Sequence, residues 1–347
     1  MAFLAEYGLF LAKLVTVVAG ILFLVAGIIA IGQRRHKEPD GHIEIKDLGA
    51  RFEDFEDDIK HAILPEDELK ALYKEQQKAE KREQKARKKN KDAEPERKRI
   101  FVLDFDGDIK ASAVDNLREE ISALLTVAKP QDSVLVRLES SGGMVHSYGL
   151  AASQLQRIVK GGLPLTVAVD RVAASGGYMM ACIAQQIIAA PFAIIGSIGV
   201  MAQLPNFHRL LKKHDVDVEL HTAGEFKRTL TMFGENTEKG RRKFLEELED
   251  THVLFKQFVA QHRPQLNIDT TATGEIWYGT QALEQSLIDE VSTSDEFLMA
   301  RRGDHDLFLV QYATKKSWQE KLGVAAEVGI DKALNRWLNR FATRFFW

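Results

Sequence analysis

Two short segments of the sequence carry a serine and a lysine that could work together as a nucleophile and its base. Ser175 lies within the run VAASGGY, and Lys227 lies within the run AGEFKR. A serine hydroxyl attacks a carbonyl only when a base accepts its proton, and a lysine can be that base once burial removes the surrounding water. Taken singly, Ser175 also suits a helix N-cap and Lys227 also suits a surface turn. The pair is therefore a hypothesis that needs a further signal.

A glycine pair, Gly142 and Gly143, follows a predicted strand and could complete such a site. Glycine lets backbone N–H groups approach a ligand closely, and such groups can bind the negative oxygen of a tetrahedral intermediate. Two more glycines, Gly176 and Gly177, follow Ser175 and open a predicted helix. Glycine pairs at strand ends are also common in ordinary turns, so this signal is weak by itself.

Three other kinds of catalytic chemistry have candidate residues but weaker patterns. The single cysteine, Cys182, lies in an apolar run that predicts a buried side chain without an activating neighbour. Asp104 and Asp106, in FVLDFDGD, resemble the aspartate motif of haloacid-dehalogenase-type phosphatases, but no later acidic pair accompanies them. A Ser-His-Asp triad would need one of four histidines that lie outside any motif: His146, His208, His214 and His221.

The stretch between residues 100 and 310 alternates apolar strands with amphipathic helices, which predicts a layered α/β fold with a largely parallel sheet. Ser112 is the predicted N-cap of the first helix. The apolar run 181–202 is interrupted by glutamines and a proline. It is predicted as strand, turn and strand, with a second membrane span as the alternative. The other predicted elements are strands at 100–108, 133–139, 165–169 and 216–220 and helices at 112–128 and 145–159.

Residues 1–37 are predicted to form a membrane anchor. Residues 14–31 carry no charge, and together with residues 9–12 before Lys13 the apolar stretch is long enough to cross about 30 Å of hydrocarbon. A cleaved signal peptide is the alternative, but the run ends in QRRHK rather than in small residues. The basic residues that follow the span favour a cytoplasmic body under the positive-inside rule, although few charges decide the side.

Charged segments flank the predicted catalytic domain, residues 100–310. Residues 38–99 are dense in Lys, Glu, Gln and Arg and are predicted to be a solvated, partly helical linker, with a lipid-binding basic arm as the alternative. Residues 311–347 are amphipathic and basic, and they either lie on a membrane surface or pack on the protein or a neighbouring subunit. The net charge of −3 provides no overall basic field for nucleic acid.

The run VAASGGYMMACIAQQIIAAPFAIIGSIGV, at 172–200, resembles the nucleophile region of the signal peptide peptidase A family, which includes the SohB-type membrane proteases. Further landmarks of that family match in the same order. They are the glycine pair, the GEFKR segment and GEIWYGTQALEQSLIDEV at 274–291. The succession of anchor, charged linker and catalytic domain is also similar to SohB-type members.

The resemblance implies a Clp-peptidase/crotonase-like fold with Ser175 as nucleophile and Lys227 as general base. By motif position, the backbone N–H groups of Gly142 and Gly176 would form the oxyanion hole. The family has Asn-Ser-Pro-Gly-Gly where this chain has ESSGG at 139–143, so the loop before Gly142 is less constrained. Family members form rings, and the resemblance leaves open whether the two catalytic side chains come from one subunit or from neighbours.

These features together predict a serine endopeptidase that is anchored in the bacterial inner membrane and cleaves peptides or membrane-protein remnants such as signal peptides. The expected partners are a peptide or protein substrate, the membrane and further copies of the chain in a ring. No nucleic acid, metal or cofactor is expected. The alternative is a non-catalytic ring scaffold that is tethered to the membrane and kept the same fold.

Overall fold

The computed structural model describes part of the N-terminal segment and two long stretches of the chain: residues 11, 13, 15–18, 20, 41–89 and 97–314. The predicted anchor lies largely outside these residues, and residues 315–347 of the predicted C-terminal segment lie outside them entirely. Among the described residues, no helix combines the length and the apolar character that a bilayer crossing needs. The candidate site lies within the larger of two compact units, Ile43–Tyr312.

The described residues form one ten-stranded sheet, which confirms the predicted α/β fold with a largely parallel sheet. The order across the sheet is β1-β10-β2-β3-β4-β6-β9, and a branch runs from β3 through β5 and β7 to β8, with β7 and β8 antiparallel. The strands are β1 Gly41–Asp47, β2 Lys98–Gly107, β3 Ser133–Ser140, β4 Leu165–Val169, β5 Val172–Ala174, β6 Gln186–Ala189, β7 Ile194–Gly196, β8 Ile276–Tyr278, β9 Glu290–Val291 and β10 His305–Thr314.

Helices connect these strands, and the two predicted near 112–128 and 145–159 are present as α3 and α4. The apolar run 181–202 contains β6, a turn and β7, as predicted. The helices of the two long described stretches are α1 Leu48–Ile63, α2 Glu66–Lys89, α3 Val114–Val127, α4 Val145–Lys160, α5 Gly176–Ala181, α6 His208–Lys213, α7 Glu238–His262, α8 Ile268–Thr271, α9 Gly279–Glu284 and α10 Ser294–Arg301.

Successive side chains of the central strands point to opposite faces, which gives the sheet two apolar cores. In β2, Leu103 and Phe105 join the main core with residues of α3, α4 and α5. Ile100 and Val102 instead join a second core on the other face, to which Phe297 of α10 contributes. The main core holds α3, α4 and α5 against the strands whose carboxyl ends carry the candidate site.

Part of the segment expected to be a linker is folded onto the second core. The strand β1 lies beside β10 at the sheet edge, and α1 buries Leu48 in that core with Phe52 packed against it. The Asp47 side chain caps α1 by accepting a hydrogen bond from the Ala50 N–H at 2.9 Å. Leu48 and Phe52 lie four residues apart on one helix face, a short apolar pattern within a strongly charged stretch.

The predicted N-cap of α3 is wrong. The helix begins after Ala113, and the Ser112 N–H and hydroxyl both donate to the Asp108 carboxylate, each at 2.8 Å. Asp108 also accepts a hydrogen bond from the Lys110 N–H at 3.0 Å. The serine therefore stabilises the turn after β2 instead of the helix, because the neighbouring carboxylate is the stronger acceptor.

The predicted strand at 216–220 is also absent from the structure. These residues follow α6 without regular secondary structure, although apolar and polar residues alternate in their sequence as they do in strands. Val216, Val218 and Leu220 are all exposed. A strand needs a neighbouring strand to accept and donate its backbone hydrogen bonds, and this segment has none within the described residues.

A carboxyl group lies within the packed face of α3. The Glu120 side chain accepts a hydrogen bond from the Tyr312 N–H at 2.8 Å, and the residue is 6% exposed. Burial raises the pKa of Glu120 to about 7, against the opposing effect of that hydrogen bond. Because the pKa of Glu120 is higher in the folded protein, its protonated carboxyl favours the folded state. This contribution to the free energy of unfolding is complete below the ordinary pKa of glutamate and is lost as the pH rises through about 7.

We expect Glu120→Gln to leave thermal stability nearly unchanged at about pH 5 and to raise it at about pH 8. The amide keeps an acceptor for the Tyr312 N–H and removes the cost of a buried charge. Thermal unfolding over a pH series measures the difference, with the exposed neighbour Glu119→Gln as the matched control. A stability difference for Glu120→Gln that stays constant with pH would contradict this account.

Candidate active site

Ser175 joins β5 to α5 in a strained backbone conformation. Its φ of 53° and ψ of −117° lie in a region that L side chains rarely adopt, at a cost on the order of 1–3 kcal/mol. The carbonyl of Gly196 in β7 holds the Ser175 N–H at 2.8 Å. Ser175 occupies the N-cap position of α5, but its side chain makes no capping hydrogen bond. A strand, a strained serine and a helix in this order also expose the hydroxyl in nucleophile elbows.

The structure brings Gly142 and Gly176 against Ser175. A Cβ atom added to Gly142 would lie 2.8 Å from the Ala174 carbonyl oxygen, the Gly176 nitrogen and the Ser175 Cβ. The φ of Gly142 is +89°, which also favours glycine. The branch of the sheet creates this proximity, because Ser140 at the end of β3 pairs with β5 just before Ser175.

The two predicted oxyanion donors differ in their hydrogen bonds. The Gly142 N–H donates to the Ser140 Oγ at 3.1 Å. The Gly176 N–H is the first of α5 and has no acceptor among the described residues, so it is free to bind a ligand. The oxyanion hole predicted from the family motif therefore has one open donor and one donor that is held by a neighbouring hydroxyl.

A tyrosine that the sequence analysis did not single out lies behind both glycines. The Tyr148 Oη lies 2.5 Å from the Ser140 Oγ and donates to the Asp108 carbonyl oxygen at 2.7 Å. Its ring also contacts Gly176, where an added Cβ would lie 2.4 Å from the Tyr148 Cγ. Tyr148 is a buried position of α4, so periodicity alone predicts only a core residue.

Ser197 is a second residue near the nucleophile that the sequence analysis did not single out. It follows Gly196, whose carbonyl holds the Ser175 N–H, and it adopts a φ of +50°. The Ser197 N–H donates to the Glu275 carbonyl oxygen at 2.7 Å, which fixes the turn after β7. The signal in the sequence was the GSIG run within the family-like segment.

The structure does not join Lys227 to Ser175. Lys227 is exposed, and its side chain has no hydrogen-bond or ion-pair partner among the described residues. Its loop is nevertheless attached to the start of α7, because Glu225 accepts a hydrogen bond from the Lys239 ammonium at 2.5 Å. The Lys239 ammonium also lies 5.7 Å from the centroid of the Phe226 ring. The predicted base therefore stands on an anchored but open loop.

The chain around this loop exposes many large apolar side chains. Residues 199–236 contain the short helix α6 and otherwise lack regular structure. A segment in which this many large apolar side chains are exposed is a candidate interaction surface. Its large exposed side chains are Met201, Leu204, Phe207, Leu210, Val216, Val218, Leu220, Phe226, Met232 and Phe233.

The other candidate catalytic residues either form bonds elsewhere or make no bond to Ser175. Cys182 is buried, its thiol contacts the Met179 carbonyl oxygen, and burial raises the pKa of that thiol. The Asp104 carboxylate forms a bidentate ion pair with the Arg137 guanidinium, at 2.6 and 2.8 Å. None of the four candidate histidines hydrogen-bonds to Ser175, and all of them are described: His146, His208, His214 and His221.

A cleft of about 530 Å³ opens on the charged part of the second face, away from the serine. Its walls carry the Asp104–Arg137 pair and a second pair between Glu139 and Arg171, at 3.2 Å. Neither Ser175 nor the glycines beside it line this cleft. The geometry around Ser175 is therefore the better guide to chemistry than this cleft, because it combines a hydroxyl that makes no capping hydrogen bond with an N–H group that has no acceptor among the described residues.

Two parts of the chain match profiles of one peptidase family. Residues 2–155 match the profile described as peptidase family S49 N-terminal, and residues 157–306 match that of peptidase family S49. The chain belongs to peptidase family S49. This membership confirms the predicted family resemblance and supports a protease.

Relatives of this S49 protein extend over almost its whole length. A protein from Haemophilus influenzae named "Probable protease SohB" is 52% identical over 350 residues, which cover 98% of this chain and 97% of that protein. A protein of the same name from Buchnera aphidicola subsp. Schlechtendalia chinensis is 50% identical over 307 residues, covering 87% of this chain and 100% of that one. Among solved structures, a mutant of the 1510-N membrane-bound stomatin-specific protease in complex with a substrate peptide matches with a TM-score of 0.43 and 13% identity. That match covers 66% of this chain and 97% of the other.

We expect Ser175→Gly to be more stable than Ser175→Ala by about 1 kcal/mol, because glycine relieves the strained φ while both variants lose the hydroxyl. Denaturant unfolding of the two variants measures the difference. The matched control is Ser153 within α4, where the order should reverse because glycine weakens a helix interior by about 1 kcal/mol relative to alanine. Equal stability of the two Ser175 variants would show that the backbone there carries no strain.

Proposed function

We propose that this S49 protein is a serine endopeptidase in which Ser175 is the nucleophile and Lys227 the general base. The observation that carries the proposal is the state of Ser175: its hydroxyl makes no capping hydrogen bond, and its backbone is held in a strained conformation against Gly142 and Gly176. Strain of this kind persists where the surrounding structure enforces it, and it clusters at functional sites. A scaffold that had lost catalysis would gain stability by replacing this serine with glycine, so the strained serine favours the peptidase over the scaffold.

The proposed reaction proceeds through an acyl-enzyme. The Ser175 Oγ forms a bond to the scissile carbonyl carbon as its proton moves to the Lys227 amine. The bond between that carbon and the leaving nitrogen then breaks, and the nitrogen takes the proton from Lys227. Water attacks the acyl-enzyme by the same route and restores the Ser175 hydroxyl. The Gly176 N–H donates a hydrogen bond to the oxyanion. The Gly142 N–H donates a bifurcated hydrogen bond to the Ser140 Oγ and to the same oxyanion.

We also propose that a homo-oligomeric ring completes the site. Removing the water around a lysine lowers the pKa of its ammonium group, so that the neutral amine can act as a base. Lys227 is exposed in the single chain. The segment 199–236, which contains the loop of Lys227, exposes large apolar side chains that offer a surface for a second copy.

The proposed substrates are peptides or membrane-protein remnants such as signal peptides, cleaved at the bacterial inner membrane where residues 1–37 anchor the protein. Apolar side chains beside the glycine pair support an apolar substrate. Ile109 is 70% exposed, and Met144 and Val145 are 42% and 45% exposed. The Met144 N–H donates to the Ile109 carbonyl oxygen at 2.8 Å, which holds these residues together next to Gly143.

A fluorophosphonate probe tests the catalytic assignment on the full-length protein in detergent. We expect wild type to be labelled, Ser175→Ala to lose labelling, and Lys227→Ala to slow it by about 100-fold or more, the scale of general-base catalysis. Lys160→Ala, an exposed lysine outside the segment 199–236, is the control and should label as wild type does. Absence of labelling in assembled wild type, or unchanged labelling in Ser175→Ala, would refute the proposal.

Mixed assemblies test whether subunits share a site. When Ser175→Ala and Lys227→Ala chains are co-expressed in equal amounts, we expect peptidase activity to return, because neither side chain bonds to the other within one chain. About a quarter of sites between neighbours would carry both wild-type residues in a random ring. Activity that stays at the level of the single variants would instead place both residues in one subunit.

A further inference from the structure

We propose that Tyr148 is a positioning residue that holds both backbone N–H groups of the oxyanion hole in place. Its hydroxyl acts on Gly142, and its ring acts on Gly176. The inference rests on the proposed function, since it concerns how the same site is built. Tyr148 touches neither Lys227 nor the Ser175 side chain among its described contacts, so it acts through the glycines rather than on the substrate.

The hydroxyl groups behind Gly142 form a chain with one consistent direction. The Tyr148 hydroxyl donates to the Asp108 carbonyl oxygen at 2.7 Å, since a carbonyl can only accept. Its proton is thereby committed, so across the 2.5 Å contact the Ser140 hydroxyl donates to the Tyr148 Oη, and the Gly107 carbonyl oxygen is a second, longer acceptor of the same hydroxyl at 3.3 Å. The Ser140 Oγ in turn accepts from the Gly142 N–H at 3.1 Å. Bonds that run in one direction polarise each other, so each link strengthens the next.

This chain is enclosed, which makes its geometry restrictive. Tyr148 is fully buried and Ser140 is 2% exposed. A Cβ atom added to Gly107 would lie 2.6 Å from both the Ser140 Oγ and the Tyr148 Oη, so glycine is needed to admit them. Burial raises the pKa of Tyr148, which keeps its hydroxyl protonated and donating. The Gly142 peptide is therefore fixed by groups that water does not reach.

The ring of Tyr148 fixes the other donor. Gly176 lies so close to the ring that an added Cβ would be 2.4 Å from the Tyr148 Cγ and 2.7 Å from its Cδ2. Gly176, the first residue of α5, is therefore packed directly against the Tyr148 side chain. One rigid side chain on α4 spans from the end of β3 to the start of α5, which are the two chain segments that must converge on one oxygen atom.

The test compares Tyr148→Phe with Tyr178→Phe. Both tyrosines are fully buried, and each donates to one backbone carbonyl, that of Leu287 at 2.8 Å for Tyr178. Both variants keep the ring and leave one carbonyl without its donor, and Tyr148→Phe also leaves the Ser140 hydroxyl without the Tyr148 acceptor, so we expect it to lose somewhat more stability. The Tyr178 hydroxyl donates to Leu287 and bonds neither glycine, which makes Tyr178→Phe the control for the loss of a buried tyrosine hydroxyl.

We expect Tyr148→Phe to lower kcat about tenfold, a fraction of the loss when an oxyanion donor is removed outright, while KM changes less than about twofold. Binding of a peptide aldehyde, whose adduct with Ser175 carries a tetrahedral oxygen, should weaken in parallel with kcat. Binding of an unreactive product peptide should not change. Tyr178→Phe should keep wild-type kcat and aldehyde affinity at temperatures where both variants are folded.

A second variant tests the route of the effect. Ser140→Ala removes the acceptor of the Gly142 N–H, and the double variant with Tyr148→Phe should be no slower than Ser140→Ala alone, because both act through one chain. Additive losses would overturn the chain, and equal kcat for Tyr148→Phe and Tyr178→Phe would overturn the positioning role. Both results leave Ser175 labelling by fluorophosphonate intact in wild type, whereas failure of the proposed function abolishes that labelling.

Discussion

The backbone of Ser175 is the constraint on which the rest of the site depends. A residue with a side chain occupies a φ and ψ that suit glycine, and three neighbours maintain it there. The Gly196 carbonyl accepts a hydrogen bond from the Ser175 N–H, and Gly142 packs directly against the Ser175 Cβ. The next residue, Gly176, packs against the ring of Tyr148. These neighbours come from β7, the end of β3 and the start of α5. The branched sheet exists, in functional terms, to bring those three segments to one point.

The central fold followed from the sequence because its signals are local and strong. The apolar strands near residues 100, 133 and 165 and the two helices between them are uninterrupted patterns, and the structure contains each of them. The position of α1 was not predicted, because its two core contacts, Leu48 and Phe52, lie within a stretch dominated by charge. The Ser112 cap failed because a neighbouring aspartate competed for the same hydroxyl.

The candidate site divides in the same way. Proximity of Ser175, Gly142 and Gly176 was expected from the order of motifs, and the structure contains it. The hydrogen bond that occupies the Gly142 N–H, and the tyrosine behind it, depend on contacts across 40 residues or fewer in the chain but across three elements in space. Periodicity could identify Tyr148 as a core position but could not reveal that its hydroxyl serves a loop. The predicted strand at 216–220 needs a neighbouring strand, and the part of the chain that the structure describes places none beside it.

The open loop of Lys227 has a consequence for how such an enzyme is made in a cell. Under the proposed mechanism, in which Lys227 acts as a base only when other copies surround it, each chain would be inert as it leaves the ribosome. Activity would then depend on the local concentration of the protein and rise steeply only where copies gather. Such a threshold would spare bystander proteins during synthesis without a removable pro-segment or a separate inhibitor.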